Sequence, residues 1–268
     1  MRLVLIGDGD SPHLLKWARA LAAVPDVELW ALSSRGFMAG FDDAVPPARR
    51  LALGTHSRAA GGNLGLLRQL PRAVRWLRGV QPDWLHAHYL TSHGTLAWLA
   101  RRAGVRARIA GSAWGSDILV TPRRGAVWRW LTQRVLRACA VTTSDSQVMA
   151  ARMHELGARD VMVFPFGLDR LPDVPDAPGA KDDDLVFANR GLEPIYRPQR
   201  VLQVFAALRA WRPGLRLVVA NDGSLRAALQ QQVEATGLGD AVRFVGRLDA
   251  ATQAEWYDRA RWYLSLPE

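Results

Sequence analysis

At 268 residues, with 49% hydrophobic side chains and a net charge of +10, the chain can bury one large core or two smaller ones and lacks the composition of a disordered segment. Its single cysteine, Cys139, excludes an internal disulfide and fits a reducing compartment, and no apolar run approaches the roughly 18 residues of a membrane span. All the basic residues except Lys16 and Lys181 are arginine. Such a surface suits nucleic acid, an anionic membrane or phosphorylated small molecules, and charge alone does not choose among them.

Leu3–Ile6 reads as a buried first strand, too short for a secretory signal core. Ser11 and Pro12 then offer an N-cap and first turn for a helix over His13–Ala23, where Leu14, Trp17, Ala18 and Leu21 recur at helical spacing. Val27–Leu32 is a second strand. A glycine-rich loop at Gly61–Gly65 leads to a helix over Leu66–Arg78. Trp84–His88 is a strand, Thr91–Ala103 a helix, Ala107–Gly111 a strand and Val127–Cys139 a helix. Val141–Thr143 follows as a strand, Ser146 caps a helix over Gln147–Gly157, and Val161–Phe164 closes the first half.

Leu171–Asp184, with three prolines and five aspartates, reads as a linker. Beyond it strands at Leu185–Ala188, Leu215–Ala220, Val242–Val245 and Trp262–Ser265 alternate with helices at Arg200–Trp211, Leu225–Thr236 and Thr252–Ala260. The alternation predicts an α/β chain of two Rossmann-like, doubly wound parallel-sheet domains, residues 1–170 and 185–268, joined by 171–184. Open sheets of this kind bind ligands outside the carboxyl ends of their strands, which predicts a cleft between the two halves.

Candidate sites follow from what succeeds each strand. Gly7-Asp8-Gly9-Asp10-Ser11-Pro12 is either a tight turn or a cradle in which Gly9 and a helix start face an anion. Pro12 stands where a dinucleotide fingerprint needs glycine, and Ser33-Ser34-Arg35 stands where it needs an acid, so a nicotinamide cofactor is not expected. His86 and His88 share one strand face. Zinc would need a third ligand, and no metal is expected; His88, last on its strand, is the one placed to reach a ligand. Asp182-Asp183-Asp184 contains a D-x-D pattern but reads as a solvated charge run. Pro122–Cys139 interleaves Arg123, Arg124, Arg129, Arg134 and Arg137 with Trp128 and Trp130. This suits an anionic membrane surface, with Val127, Leu131, Val135 and Cys139 turned to the core.

In the second half Arg190 and Arg197, Asn221-Asp222-Gly223-Ser224, and Gly246-Arg247 each follow a strand. Together they offer the fixed forks and close backbone approach that a nucleoside diphosphate needs. No nucleic-acid reader motif accompanies the charge, so no specific nucleic-acid partner is expected.

Five segments then resemble family 4 of the retaining GT-B glycosyltransferases: Pro82-Asp83-Trp84-Leu85-His86-Ala87-His88, Trp114-Gly115-Ser116-Asp117-Ile118, Pro165-Phe166-Gly167-Leu168-Asp169, Arg190-Gly191-Leu192-Glu193-Pro194 and Phe244-Val245-Gly246. The resemblance implies a GT-B fold and transfer of a sugar, with retention and without a metal or other cofactor, from a nucleotide-sugar to an acceptor hydroxyl. It implies Arg190 on the donor diphosphate and Asp117 ordering the acceptor loop; with Arg197 as the candidate substitute for the family's lysine, these three are the expected catalytic set. Gly9, Asn221, Gly223, Gly246 and Arg247 would serve the donor; His88, Trp114 and Ser116 would face the acceptor.

Three positions depart from the pattern. Trp114 stands where many members carry histidine, Arg197 replaces the usual lysine, and the second glycine pair is thinned to Asn221-Asp222-Gly223. The acidic E-x7-E segment is expected past Glu268, leaving the second domain incomplete and the given chain with little activity alone. The expected setting is the cytoplasm, peripheral on the inner face of the membrane, with a sugar or lipid-linked glycan as acceptor in cell-surface glycan synthesis. A non-catalytic nucleotide or sugar-phosphate binding module and a GT-B sugar-nucleotide epimerase are the alternatives.

Overall fold

The computed structural model describes residues 1–55, 64–167 and 179–267. Most of the Gly61–Gly65 loop, Leu168, Asp169 and most of the expected linker lie outside the described residues. The chain divides into two compact units, Met1–Leu171 and Pro172–Glu268.

In the first unit, β1 (Arg2–Gly7), α1 (Pro12–Ala22), β2 (Glu28–Ser33), α2 (Phe41–Ala44) and β3 (Arg50–Ala52) form one wing. Continuing along the chain, α3 (Leu64–Arg68) and α4 (Leu70–Val80) lead to β4 (Trp84–His88), then α5 (Thr95–Arg102), β5 (Arg108–Ser112), α6 (Ser116–Leu119), α7 (Ala126–Ala138), β6 (Val141–Ser144), α8 (Gln147–Glu155) and β7 (Val161–Val163). All seven strands are parallel, in the order β3-β2-β1-β4-β5-β6-β7. Helices cover both faces, so β1 is a continuous apolar run rather than an alternating one. Its Val4 and Ile6 enter a core with Leu32, Leu77 and Leu85, while Leu3 and Leu5 enter another with Leu14, Ala18 and Phe41.

The second unit runs β8 (Asp182–Ala188), α9 (Pro198–Trp211), β9 (Arg216–Ala220), α10 (Arg226–Ala235), β10 (Val242–Gly246), α11 (Ala250–Arg259) and β11 (Ala260–Tyr263). Its strands are parallel in the order β10-β9-β8-β11, the winding that β3-β2-β1-β4 shows in the first unit. In both units the order reverses beside the first strand, which fixes where each unit gathers its ligand-facing loops.

Several expectations are corrected. Asp182-Asp183-Asp184 keeps the exposure expected of a charge run but forms the start of β8 and not part of a linker. Asp182 meets Arg216 on β9 at 2.7 Å, Asp184 meets Arg212 at 2.6 Å, and Asp183 meets Arg261 on β11 at 3.6 Å. The acids set that strand among its basic neighbours. The helix expected over Leu66–Arg78 is two, because Pro71 supplies no N–H to continue a helix and is tolerated only in the first turn of α4. Short α2 and β3 carry too few residues for a periodic signal. Ser11 takes the N-cap position of α1 through its backbone, its side chain making no cap bond; Ser146 does cap α8, accepting from the Met149 N–H.

On α7, Val127 is 74% exposed rather than turned inward, and the buried stripe is Thr132, Val135, Leu136 and Cys139. Among the described residues no helix is long and apolar enough to cross a membrane.

The second unit rests on few large side chains, and Phe205 on α9 is fully buried among them. Phe205→Ala is expected to cost about 3–5 kcal/mol by deleting contacts and leaving a cavity. Urea unfolding of the two proteins measures this, and a loss under 1 kcal/mol would show that the core closes over the gap.

Candidate functional site

The first unit's site forms where β1 and β4 end side by side. Gly9 carries no Cβ because one would lie 2.5 Å from the Gly36 carbonyl and 2.6 Å from the Phe37 ring, and its N–H is given to Ser33 Oγ at 2.8 Å. Packing of the loop therefore accounts for Gly9, and its N–H is not directed at an anion. Asp8 accepts a hydrogen bond from Ser34. Its Oδ1 stands 3.4 Å from His93 Nε2.

Past β4, Tyr89 adopts φ 72°, a left-handed conformation uncommon outside glycine and typical of constrained sites. Its carbonyl accepts the N–H groups of Ser92, His93 and Gly94, which winds Leu90–Gly94 into a π-turn ahead of α5. Its phenol meets Ser116. The fully buried carboxylate of Asp117 holds this turn to the loop after β5. One oxygen accepts the Leu90 N–H at 2.8 Å and the other the Trp114 N–H at 2.9 Å. Burial pushes the carboxyl up to about 6, against the downward pull of those N–H groups.

His88 does not reach solvent. It is 3% exposed, packed between Trp17 and Trp114 with ring centroids at 5.4 and 5.7 Å, and neither ring nitrogen has a hydrogen-bond partner. Burial, with its neighbours His86 and His93, holds its pKa well below the ordinary value. His86 bonds Ser112 Oγ at 2.8 Å, and burial lowers it to about 4. His93 Nδ1 lies 2.7 Å from the His88 carbonyl. A carbonyl only accepts, so Nδ1 carries the proton there. Trp114 completes the wall, its ring 5.1 Å from His13 and 5.2 Å from Phe166. His88, Trp114, Ser116 and Asp117 are thus brought together, with Tyr89 as their hub.

In the second unit the exits of β8, β9 and β10 are laced by backbone. The Asn221 N–H donates to the Gly246 carbonyl at 2.5 Å, and its side-chain amide donates to the Asn189 carbonyl at 3.3 Å. Asn221 at φ 83° and Gly246 at φ 75° make these turns possible. A Cβ on Gly223 would fall 2.4 Å from the Leu192 carbonyl, so only glycine fits between the loops. Arg190 is exposed, its Nε donating to Ser265 Oγ at 3.3 Å and its guanidinium 5.7 Å from the Tyr196 ring centre. Arg197, at φ 48°, opens α9. Arg247 is exposed beside Gly246.

The amino-terminal part of the chain, residues 2–146, matches the family model described as glycosyl transferase 4-like. The chain belongs to this family. Among solved structures the fold is similar to that of Anabaena HepE in complex with UDP and glucose, with a TM-score of 0.74 and 15% identity over 99% of this chain and 74% of that one. It is similar also to sucrose-phosphate synthase from Thermosynechococcus elongatus, with a TM-score of 0.75 and 14% identity over 98% and 74% of the two chains. A candidate UDP-N-acetylglucosamine 2-epimerase from Listeria monocytogenes superposes with a TM-score of 0.63 and 15% identity over 97% and 73%. No curated protein matches the chain. The fold is therefore GT-B, built of two Rossmann-like sheets.

Sequence reasoning about this glycosyltransferase-family chain missed Tyr89, whose strain has no sequence signature, and four residues that complete the second unit's edge. Glu193 accepts the N–H and hydroxyl of Ser224 at 2.9 and 2.6 Å, which holds its carboxyl below the usual range. Ser265 and Tyr196 steady Arg190. Arg226, four residues after Asp222 on α10, brings a guanidinium to Gly246; that i,i+4 spacing was the available signal.

The titrations predict the direction of stability with pH. His86 and His88 have folded pKa values depressed from 6.5, so the stability they contribute is present above 6.5 and is lost as the pH falls below it, for His86 toward about 4. Asp117, raised from 3.8 to about 6, acts oppositely: its contribution is present below 3.8 and is lost as the pH rises through 6. Two imidazoles outweigh one carboxyl, so the urea midpoint should fall between pH 7 and pH 5. Asp117→Asn should steepen that fall and, by setting an amide N–H against a backbone N–H, cost about 1–3 kcal/mol at pH 7. An unchanged slope in the variant would show that Asp117 does not titrate in this window.

Proposed function

We propose that this protein binds a nucleoside-diphosphate sugar at the carboxyl edge of its second unit and transfers the sugar, with retention and without a metal, to an acceptor hydroxyl at the first unit. The observation that carries the reading is Arg190, held by Ser265 and Tyr196 at the exit of β8, on the edge shaped by the turns at Asn221, Gly223 and Gly246. HepE, similar in fold, is solved with UDP and glucose. As the sugar–diphosphate bond breaks, negative charge grows on the departing diphosphate. A preorganised guanidinium stabilises it more than it stabilises the ground state. Arg190 and Arg197 are the proposed charge partners, Asn221, Gly223, Gly246 and Arg247 the donor cradle. Asp117 positions the acceptor loop through Leu90 and Trp114, and no further cofactor is proposed.

Arg190→Ala is expected to lower turnover by about 10²–10³, read as sugar release from a panel of UDP-, GDP- and ADP-sugars with glycoside acceptors. Turnover within threefold of the parent would remove Arg190 from the mechanism. The likeness to the Listeria epimerase candidate supports a second reading, in which the donor sugar is converted without an acceptor. Conversion in acceptor-free reactions distinguishes it.

The same reading sets the protein on the cytoplasmic face of a membrane in cell-surface glycan synthesis. Supporting it, α7 exposes Val127 and Trp130 beside Arg129 and Arg134, an apolar tip within a basic field. Flotation with vesicles containing anionic lipid should carry the protein up, and Trp130→Glu should release most of it. Equal flotation on uncharged vesicles would discard the electrostatic part of this reading.

A further inference from the structure

The carboxyl edge of the second unit carries two charged side chains that the proposed phosphate chemistry does not use. Asp222 stands two residues beyond β9, and Arg226 opens α10. The Asp222 carbonyl accepts the Leu192 N–H at 3.1 Å, which ties the loop after β9 to the loop after β8, and Asp222 Oδ1 accepts the Gly223 N–H at 2.8 Å. The other carboxylate oxygen, Oδ2, lies 3.7 Å from Arg226 Nη1. That separation is an ion contact too long for a hydrogen bond, so the carboxylate keeps acceptor capacity and the guanidinium keeps donors. Solvent reaches both side chains, which are 46% and 33% exposed.

Beside them β10 ends on Gly246, at φ 75°. Leaving aside its chain neighbours, a Cβ at Gly246 would meet one group among the described residues, Arg226 Nη1 at 3.5 Å. The guanidinium therefore lies over the β10 exit, and Asp222 lies at the β9 exit, nearer β8 and Arg190. Neighbouring strands are about 4.8 Å apart, so β9 between them sets the exits of β8 and β10 roughly 10 Å apart. That is about the span from the diphosphate of a nucleotide to its base.

We infer that Asp222 and Arg226 read the base of the nucleotide donor, and that the base they select is guanine. The inference rests on the donor site proposed for the second unit and names the nucleotide class for it. With the diphosphate at β8 and the ribose over β9, the sugar side of the base's pairing edge faces Asp222 and its far side faces Arg226. An ionised carboxylate only accepts hydrogen bonds, and a guanidinium only donates them. Guanine offers its N1 and N2 N–H groups on the sugar side and O6 on the far side, so each group finds a partner. Uracil gives O4 to Arg226 and N3–H to Asp222 but sets O2 against the carboxylate. Adenine and cytosine turn an amino group toward the guanidinium, donor against donor, and offer Asp222 no N–H. A site built to hydrogen-bond its ligand rejects one that leaves those groups unpaired.

Calorimetry on the whole protein with GDP, IDP, UDP, ADP and CDP tests this. GDP should bind at least about tenfold more tightly than ADP and CDP, with UDP between them. IDP, which lacks only the N2 amino group, should bind roughly threefold or more weakly than GDP. Asp222→Asn keeps an oxygen for the Gly223 N–H and removes the ionised pair of acceptors; it should erase the advantage of GDP over IDP and leave ADP and CDP unchanged. Arg226→Ala should weaken GDP and UDP about tenfold and not weaken ADP or CDP. Arg190→Ala, which removes the proposed diphosphate partner, should weaken all five alike.

GDP binding no tighter than ADP or CDP, or Arg226→Ala weakening all five nucleotides equally, would overturn the base assignment and leave the donor site standing. Binding of none of the five would overturn the donor site and the base assignment together.

Discussion

In a parallel sheet every strand leaves at the same edge, and in this chain that constraint does most of the organising. The winding β3-β2-β1-β4, repeated as β10-β9-β8-β11, puts the reversal of strand order beside the first strand of each unit. Neighbouring exits diverge there, one loop passing to each face, and the gap left between them is the only place a ligand meets backbone from several strands at once. In the first unit the gap is bounded by Gly7–Gly9 and Tyr89; in the second, by Asn189-Arg190 and Ser265. The remaining features serve to hold those loops in place.

They are held by two different means. In the first unit the fixing is buried and uncharged in character. A single carboxylate, Asp117, gathers two N–H groups from different loops, and His86 and His88, their pKa values lowered by burial, sit against Trp17. Low dielectric makes each of these contacts strong when satisfied and costly when not. In the second unit the fixing is exposed. Backbone turns at Asn221 and Gly246, the Glu193–Ser224 pair and the Arg190–Ser265 contact lie in or near solvent. Solvent there screens each pair, and the geometry comes from glycine positions that admit no side chain.

The strand–helix alternation was legible because buried parallel strands write themselves as apolar runs such as Leu3–Ile6, and the exits could be placed because they follow those runs. What could not be read was anything set by partners distant in sequence. Asp182–Asp184 looks like a linker fragment until Arg212, Arg216 and Arg261 arrive from other elements to pair with it. Val127 fits a helical core stripe by spacing, yet the sheet meets α7 along Thr132, Val135 and Leu136, a stripe rotated away from it. His88 ends its strand, where exposure is the ordinary outcome; Trp17 from α1 and Trp114 from beyond β5 close over it.

By itself, then, the order of residues determined the fold class, the strand exits, and the resemblance that the match of residues 2–146 to the glycosyl transferase 4-like family made definite. These follow from local periodicity and from short segments, which are properties of neighbours along the chain. Only the tertiary structure decided that Gly9 serves packing, that Tyr89 and Asp117 bind two loops into one, and that Trp17 and Trp114 close over His88. Those outcomes depend on which side chains, separated by tens of residues, come within a few ångströms of one another, and distance in space is not encoded in any local pattern.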